Sequence, residues 1–160
     1  MSVRATLNFG GSIRETLTAG VEFAENPTVT HRVGGSVDLT SASTPDIEKF
    51  GADEPALAAG AATLDLTSLK GTNGVTVDGT GLRPRWIYLK NTGVADITFT
   101  KGASNGNDMF AGSWTFTLRP GEEKDHKFSA AGPSVVGGTN KIIDITGTGA
   151  DTFQYAILLG

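Results

Sequence analysis

Apolar positions in this chain recur with a period of two. In the run Ser113–Phe128, Trp114, Phe116 and Leu118 alternate with Thr115, Thr117 and Arg119. That period sends large apolar groups to one face of a pleated strand and polar groups to the other. Pro120-Gly121 follows. Pro presets φ for the first central position of a turn, and Gly accepts the positive φ that a type II turn needs at the second. The pattern predicts a β-hairpin over Ser113–Phe128. Both Trp residues lie between Leu82 and Phe128, which places the expected main core there.

The same alternation sets Val3, Ala5, Leu7 and Phe9 against Arg4, Thr6 and Asn8. Ser2–Phe9 reads as a strand, Gly10-Gly11-Ser12 as a hairpin connection and Ile13–Thr18 as its partner. This unit is either an edge hairpin or an arm reaching a neighbouring subunit, since termini are often ordered only by partners. Pro27 argues against a central strand over Val21–Thr30. Val29–Val33 and Val37–Thr40 flank Gly34-Gly35, a second hairpin signal. Thr44–Phe50 fits a short helical turn, with Thr44 as cap and Pro45 at its first position, or equally a short strand. Gly51–Ala61, with Pro55 and many Ala and Gly, reads as a connection.

Further along, Ala62–Thr67 reads as a strand, and Leu69–Gly81 as a long loop with at most a short strand at Val75–Val77. Pro84–Asn91 puts Ile87 and Leu89 on one face and Trp86 and Tyr88 on the other. With both faces apolar it is a central strand, or one whose second face a neighbour covers. Ala95–Thr100 follows as a strand. Lys101–Gly112 is a polar loop whose Met109 and Phe110 either tuck beneath it or dock on a partner. Ser129–Asn140 is a Gly-rich loop, Lys141–Thr146 a strand, and Thr152–Leu159 a closing strand with Phe153, Tyr155, Ile157 and Leu159 on one face. Apolar-Asp-apolar-Thr recurs at Val37–Thr40, Leu64–Thr67 and Ile143–Thr146 at irregular spacing. It reads as outward Asp and Thr on half-exposed strands, not as a solenoid repeat. Short strands joined by Gly-rich turns predict an all-β, jelly-roll-like two-sheet β-sandwich. Within one domain, residues 1–40 form N-terminal hairpins or an arm, 41–61 a connection, and 62–160 the main body.

Composition agrees with this class. Gly supplies 22 of 160 residues, about twice the usual share of a globular chain. A chain of this length holds a core without staples. It has no cysteine, which excludes disulfides, thiolate catalysis and cysteine-ligated metal, and leaves the redox compartment open. A net charge of −4 disfavours direct nucleic-acid contact. No apolar run is long enough for a transmembrane helix. The start Met-Ser-Val-Arg-Ala-Thr-Leu has no apolar signal core, so synthesis in the cytoplasm is expected.

Candidate chemistry is sparse. His31 and His126 are the two histidines. Neither has a metal-ligand partner at i+2 or i+4, and both read as surface residues. No Ser sits in a nucleophile elbow. Gly137-Gly-Thr-Asn-Lys141 opens a strand, not the helix that a phosphate loop requires. Asp78–Gly81 and Thr146–Asp151 lack the spaced carboxylates of a calcium loop and read as tight turns. Glu122, Glu123 and Asp125 have no partner carboxylate that the sequence can place. No catalytic, cofactor or metal residue is assigned.

The run Ala62–Leu82 with its Leu-Asp-Leu-Thr and Gly-Thr-Asn-Gly elements precedes Ile87-Tyr-Leu-Lys-Asn91. Ile97-Thr-Phe-Thr-Lys-Gly, Leu118-Arg-Pro-Gly-Glu122 and Ile143-Asp-Ile-Thr-Gly-Thr-Gly149 come next. Over residues 62–160 this resembles small virion proteins of tailed bacteriophages that decorate or cement the capsid. The motifs carrying the resemblance are structural. It implies a jelly-roll-like fold, self-association (often trimeric), binding to the major capsid protein on the outside of the shell, and neither enzyme activity nor a cofactor. The expected location is the virion surface. Val3, Leu7 and Phe9 in the N-terminal segment, Trp86 and Tyr88, and Met109 and Phe110 are the candidate partner contacts. Another phage structural part (tail, neck or baseplate), or a carbohydrate-binding β-sandwich using Trp86 and Tyr88, remain the alternatives.

Overall fold

The computed structural model describes residues 3–16, 28–72 and 74–160, with backbone alone for 11, 13–16 and 28–33. The described residues contain strands and turns and no helix. In chain order the strands are β1 (Ala5–Thr16), β2 (Thr28–Leu39), β3 (Lys49–Asp53), β4 (Ala61–Asp65), β5 (Leu69–Lys70), β6 (Thr76–Val77), β7 (Pro84–Asn91), β8 (Ile97–Lys101), β9 (Thr115–Leu118), β10 (Glu123–Lys127), β11 (Ile142–Thr146) and β12 (Phe153–Leu159). Two four-stranded antiparallel sheets form the body, ordered β10-β7-β12-β3 and β4-β11-β8-β9. Successive body strands alternate between the sheets except β8 and β9, which pair within one sheet, and this is the double Greek-key order of a jelly roll. β5 and β6 form a small ribbon between the second and third body strands. β1 and β2 form a separate two-stranded ribbon.

The main core lies between the sheets. Ile87 and Leu89 from β7 and Phe153, Tyr155, Ile157 and Leu159 from β12 meet Ile97, Phe99, Ile143 and Ile145 from the facing sheet, all buried. Phe99 stacks on Phe116 and meets Phe153 edge-on, at centroid separations of 5.6 and 5.7 Å. These are favoured aromatic geometries. One open side of the sandwich, between edge strands β9 and β10, is closed by Phe110, Phe116 and Phe128. His126 lies edge-on to Phe128 at 4.7 Å, and the Lys124 ammonium sits 5.2 Å from the Phe116 centroid. A cation over an aromatic face is attracted to its quadrupole, and inward charge on an edge strand discourages edge-to-edge pairing.

The chain runs differently from the sequence expectation in three places. The predicted hairpin over Ser113–Phe128 does not form. The turn itself does: Glu122 N–H donates to Arg119 O at 2.9 Å, and Gly121 has φ 80°. Its two strands then part, β9 pairing with β8 and β10 with β7. Residues 123–127 read Glu-Lys-Asp-His-Lys and offer no apolar row to match Trp114, Phe116 and Leu118, so one shared sheet face has nothing to gain there.

The second difference is at the N-terminus. Gly10-Gly11 and Gly34-Gly35 are not turns. β1 and β2 are continuous, and Gly10 lies opposite Gly34 in a twelve-rung antiparallel ladder. Gly10 has φ 123° and Gly34 φ 107°, and a Cβ on Gly34 would collide with the Phe9 carbonyl oxygen. The facing glycines serve close backbone approach. The expectations for Leu17–Pro27 lie outside the described residues.

Third, the stretch read as a connection supplies an edge strand, since β3 pairs with β12 from Tyr155↔Asp53 to Leu159↔Lys49. Its Gly51 sits against Leu69, where a Cβ would come within 2.7 Å of the Leu69 side chain. The small residues that suggested a linker allow close packing instead. No helical turn forms over Thr44–Phe50.

Asn91 joins the sheets where β7 ends. It is fully buried, and its Nδ2 donates to Ala95 O and Leu118 O, both at 2.8 Å. Its backbone also binds the crossing turn, through Gly121 N–H to Asn91 O at 3.0 Å. Replacing Asn91 with Ala removes the donor from one buried and one half-buried carbonyl, at about 1–3 kcal/mol each. We expect Asn91→Ala to lower stability by about 3 kcal/mol, read as a fall in the urea midpoint at unchanged m-value.

Candidate interaction surface

β7 and β12 carry apolar groups on both faces. Trp86 and Leu158 are cross-strand partners and lie on the face away from the main core. They join a second cluster with Leu7, Leu39 and Ile47, against which Val3, Ala5, Phe9, Val37 and Phe50 are partly buried. The base of the β1–β2 ribbon therefore covers the outer face of one sheet. Leu39, Ile47 and Leu158 are at most 2% exposed. Burying each such side chain is worth about 2 kcal/mol. Thr6 Oγ1 donates to Asp38 Oδ1 at 2.6 Å across the base rungs, on the solvent side.

Beside this cluster runs an open trough of about 1410 Å³. Val3, Ala5 and Leu7 line it from the ribbon, Ile47 and Phe50 from the segment entering β3, Val77 from β6, and Trp86 and Leu158 from the sheet. Lys49, which also lines it, donates to Asp78 O at 2.6 Å and ties β3 to the chain beyond β6. Within the trough wall, the indole Nε1–H of Trp86 is buried and has no acceptor. On the other flank of the ribbon base, a shallower cleft of about 440 Å³ separates Phe9 and Gly35–Val37 from Asp125, His126 and Lys127 of β10.

Tyr88 lies beside Trp86, their rings stacked at 6.1 Å and 16°. Its hydroxyl donates to Glu123 Oε2 at 2.8 Å. Burial, then the hydrogen bond to Glu123, pushes the Tyr88 phenol up to about 12. Elsewhere, burial raises the Asp65 carboxyl, but hydrogen bonds from Thr67 and Lys141 outweigh it and leave it below the usual carboxylate range. Asp65 and Lys141 meet at 3.0 Å and join β4 to the start of β11. Asp144, the equivalent residue of the recurring Asp motif, accepts from Ala103 N–H at 2.8 Å. These aspartates fasten turns and neighbouring strands.

The structure divides the candidate contacts in two. Val3, Leu7, Phe9 and Trp86 come together in the outer cluster, with Tyr88 stacked at its margin. Met109 and Phe110 do not belong to it. Met109 is 4% exposed in the main core, and Phe110 packs edge-on against Trp114 at 5.1 Å. Trp114 Nε1–H donates to Asn107 O and Met109 N–H to Asn107 Oδ1, at 2.9 and 3.0 Å, so buried Asn107 pins their loop inward. Of the two readings for this loop, the structure shows both residues tucked beneath it, Met109 buried and Phe110 half-buried. Sequence reasoning missed Ile47, Phe50 and Leu158. Leu158 had a signal: it follows Ile157 in a closing strand apolar on both faces, as Pro84–Asn91 is.

Among the described residues no group of three or more His, Cys, Asp or Glu is placed to hold a metal ion, and no helix is long and apolar enough to cross a membrane. No protein family, curated protein or solved structure matches this chain.

Two outcomes follow from this packing. Leu158→Ala opens a cavity beneath the ribbon base and is expected to cost about 2–4 kcal/mol in urea unfolding. The Tyr88 phenol has a folded pKa above its unfolded value of about 10. Its contribution is therefore fully present below pH 10 and is lost as pH rises towards 12. Tyr88→Phe lacks that loss, so the stability difference between wild type and variant is expected to shift in favour of the variant between pH 9 and 11.5.

Proposed function

We propose that this protein is a non-enzymatic virion structural protein that binds and stabilises the outside of a phage capsid shell, acting as a decoration or cement protein on the major capsid protein. The observation that carries this reading is the pairing of a jelly-roll body with a long two-stranded ribbon whose base rests on that body. A cementing part needs a stiff scaffold and an extension that reaches across a subunit boundary. The resemblance over residues 62–160 points the same way. Each contact can be weak, because many copies on one lattice act together. Self-association, with a trimer favoured, belongs to the same proposal.

The carbohydrate-binding alternative draws less support. Sugar stacking needs an open aromatic face, whereas Trp86 packs beneath the ribbon base and stacks on Tyr88.

The test is co-sedimentation of the purified protein with empty capsids of its source phage, with shell disruption followed by heating. The expected result is saturable binding and a higher disruption temperature. Protein that stays in the supernatant at tens of micromolar would overturn the decoration role, and binding to isolated tails instead would move it to a tail or neck position.

A further inference from the structure

We draw no further inference here: the strongest candidate, the apolar trough of about 1410 Å³ between the base of the β1–β2 ribbon and the sheet face that carries Trp86 and Leu158, is an unpartnered surface, and nothing in the structure shows what covers it.

Discussion

The structure depends on the two-sided burial of the β7–β12 pair. Ile87, Leu89, Phe153 and Ile157 point into the sandwich, while Trp86 and Leu158 point out of it. A jelly-roll sheet ordinarily leaves its outer face to solvent, with polar residues there. Here the outer face is apolar at one end, and leaving it wet would forgo about 2 kcal/mol for each large side chain. The ribbon base is the cover the chain supplies. Towards the other end the same face turns polar, with Lys90 near Glu123 and Gln154 bonded to Glu54, and there the ribbon is not needed.

Much of the body was legible in the sequence because it follows from local pattern. Pro84–Asn91 was bounded correctly by Pro at one end and a turn at the other, and its double-sided apolar pattern announced a covered strand. The short strand near Val75–Val77 and the closing strand were readable for the same reason. What failed was partner choice. Pro120-Gly121 specifies a turn, but whether the following strand returns to the same sheet is decided by distant residues, here β7 and its Asn91. Gly10 and Gly34 carry a signal that fits a tight turn and a close strand crossing equally well. The ribbon-base side of the candidate surface was anticipated through Val3, Leu7, Phe9 and Trp86, whereas the trough draws on five separate chain segments that no local spacing connects. Met109 and Phe110 look like exposed loop residues until buried Asn107 is placed beneath them.

Hydrogen exchange on the purified protein tests the central claim most directly, because it reads the ribbon base and the outer ribbon separately. If the base covers the outer sheet face, amides of the rungs around Leu7 and Leu39 exchange as slowly as those of β12, through opening of the body itself. Exchange in the base rungs at the rate of a free peptide, with β7 and β12 still protected, would contradict the account.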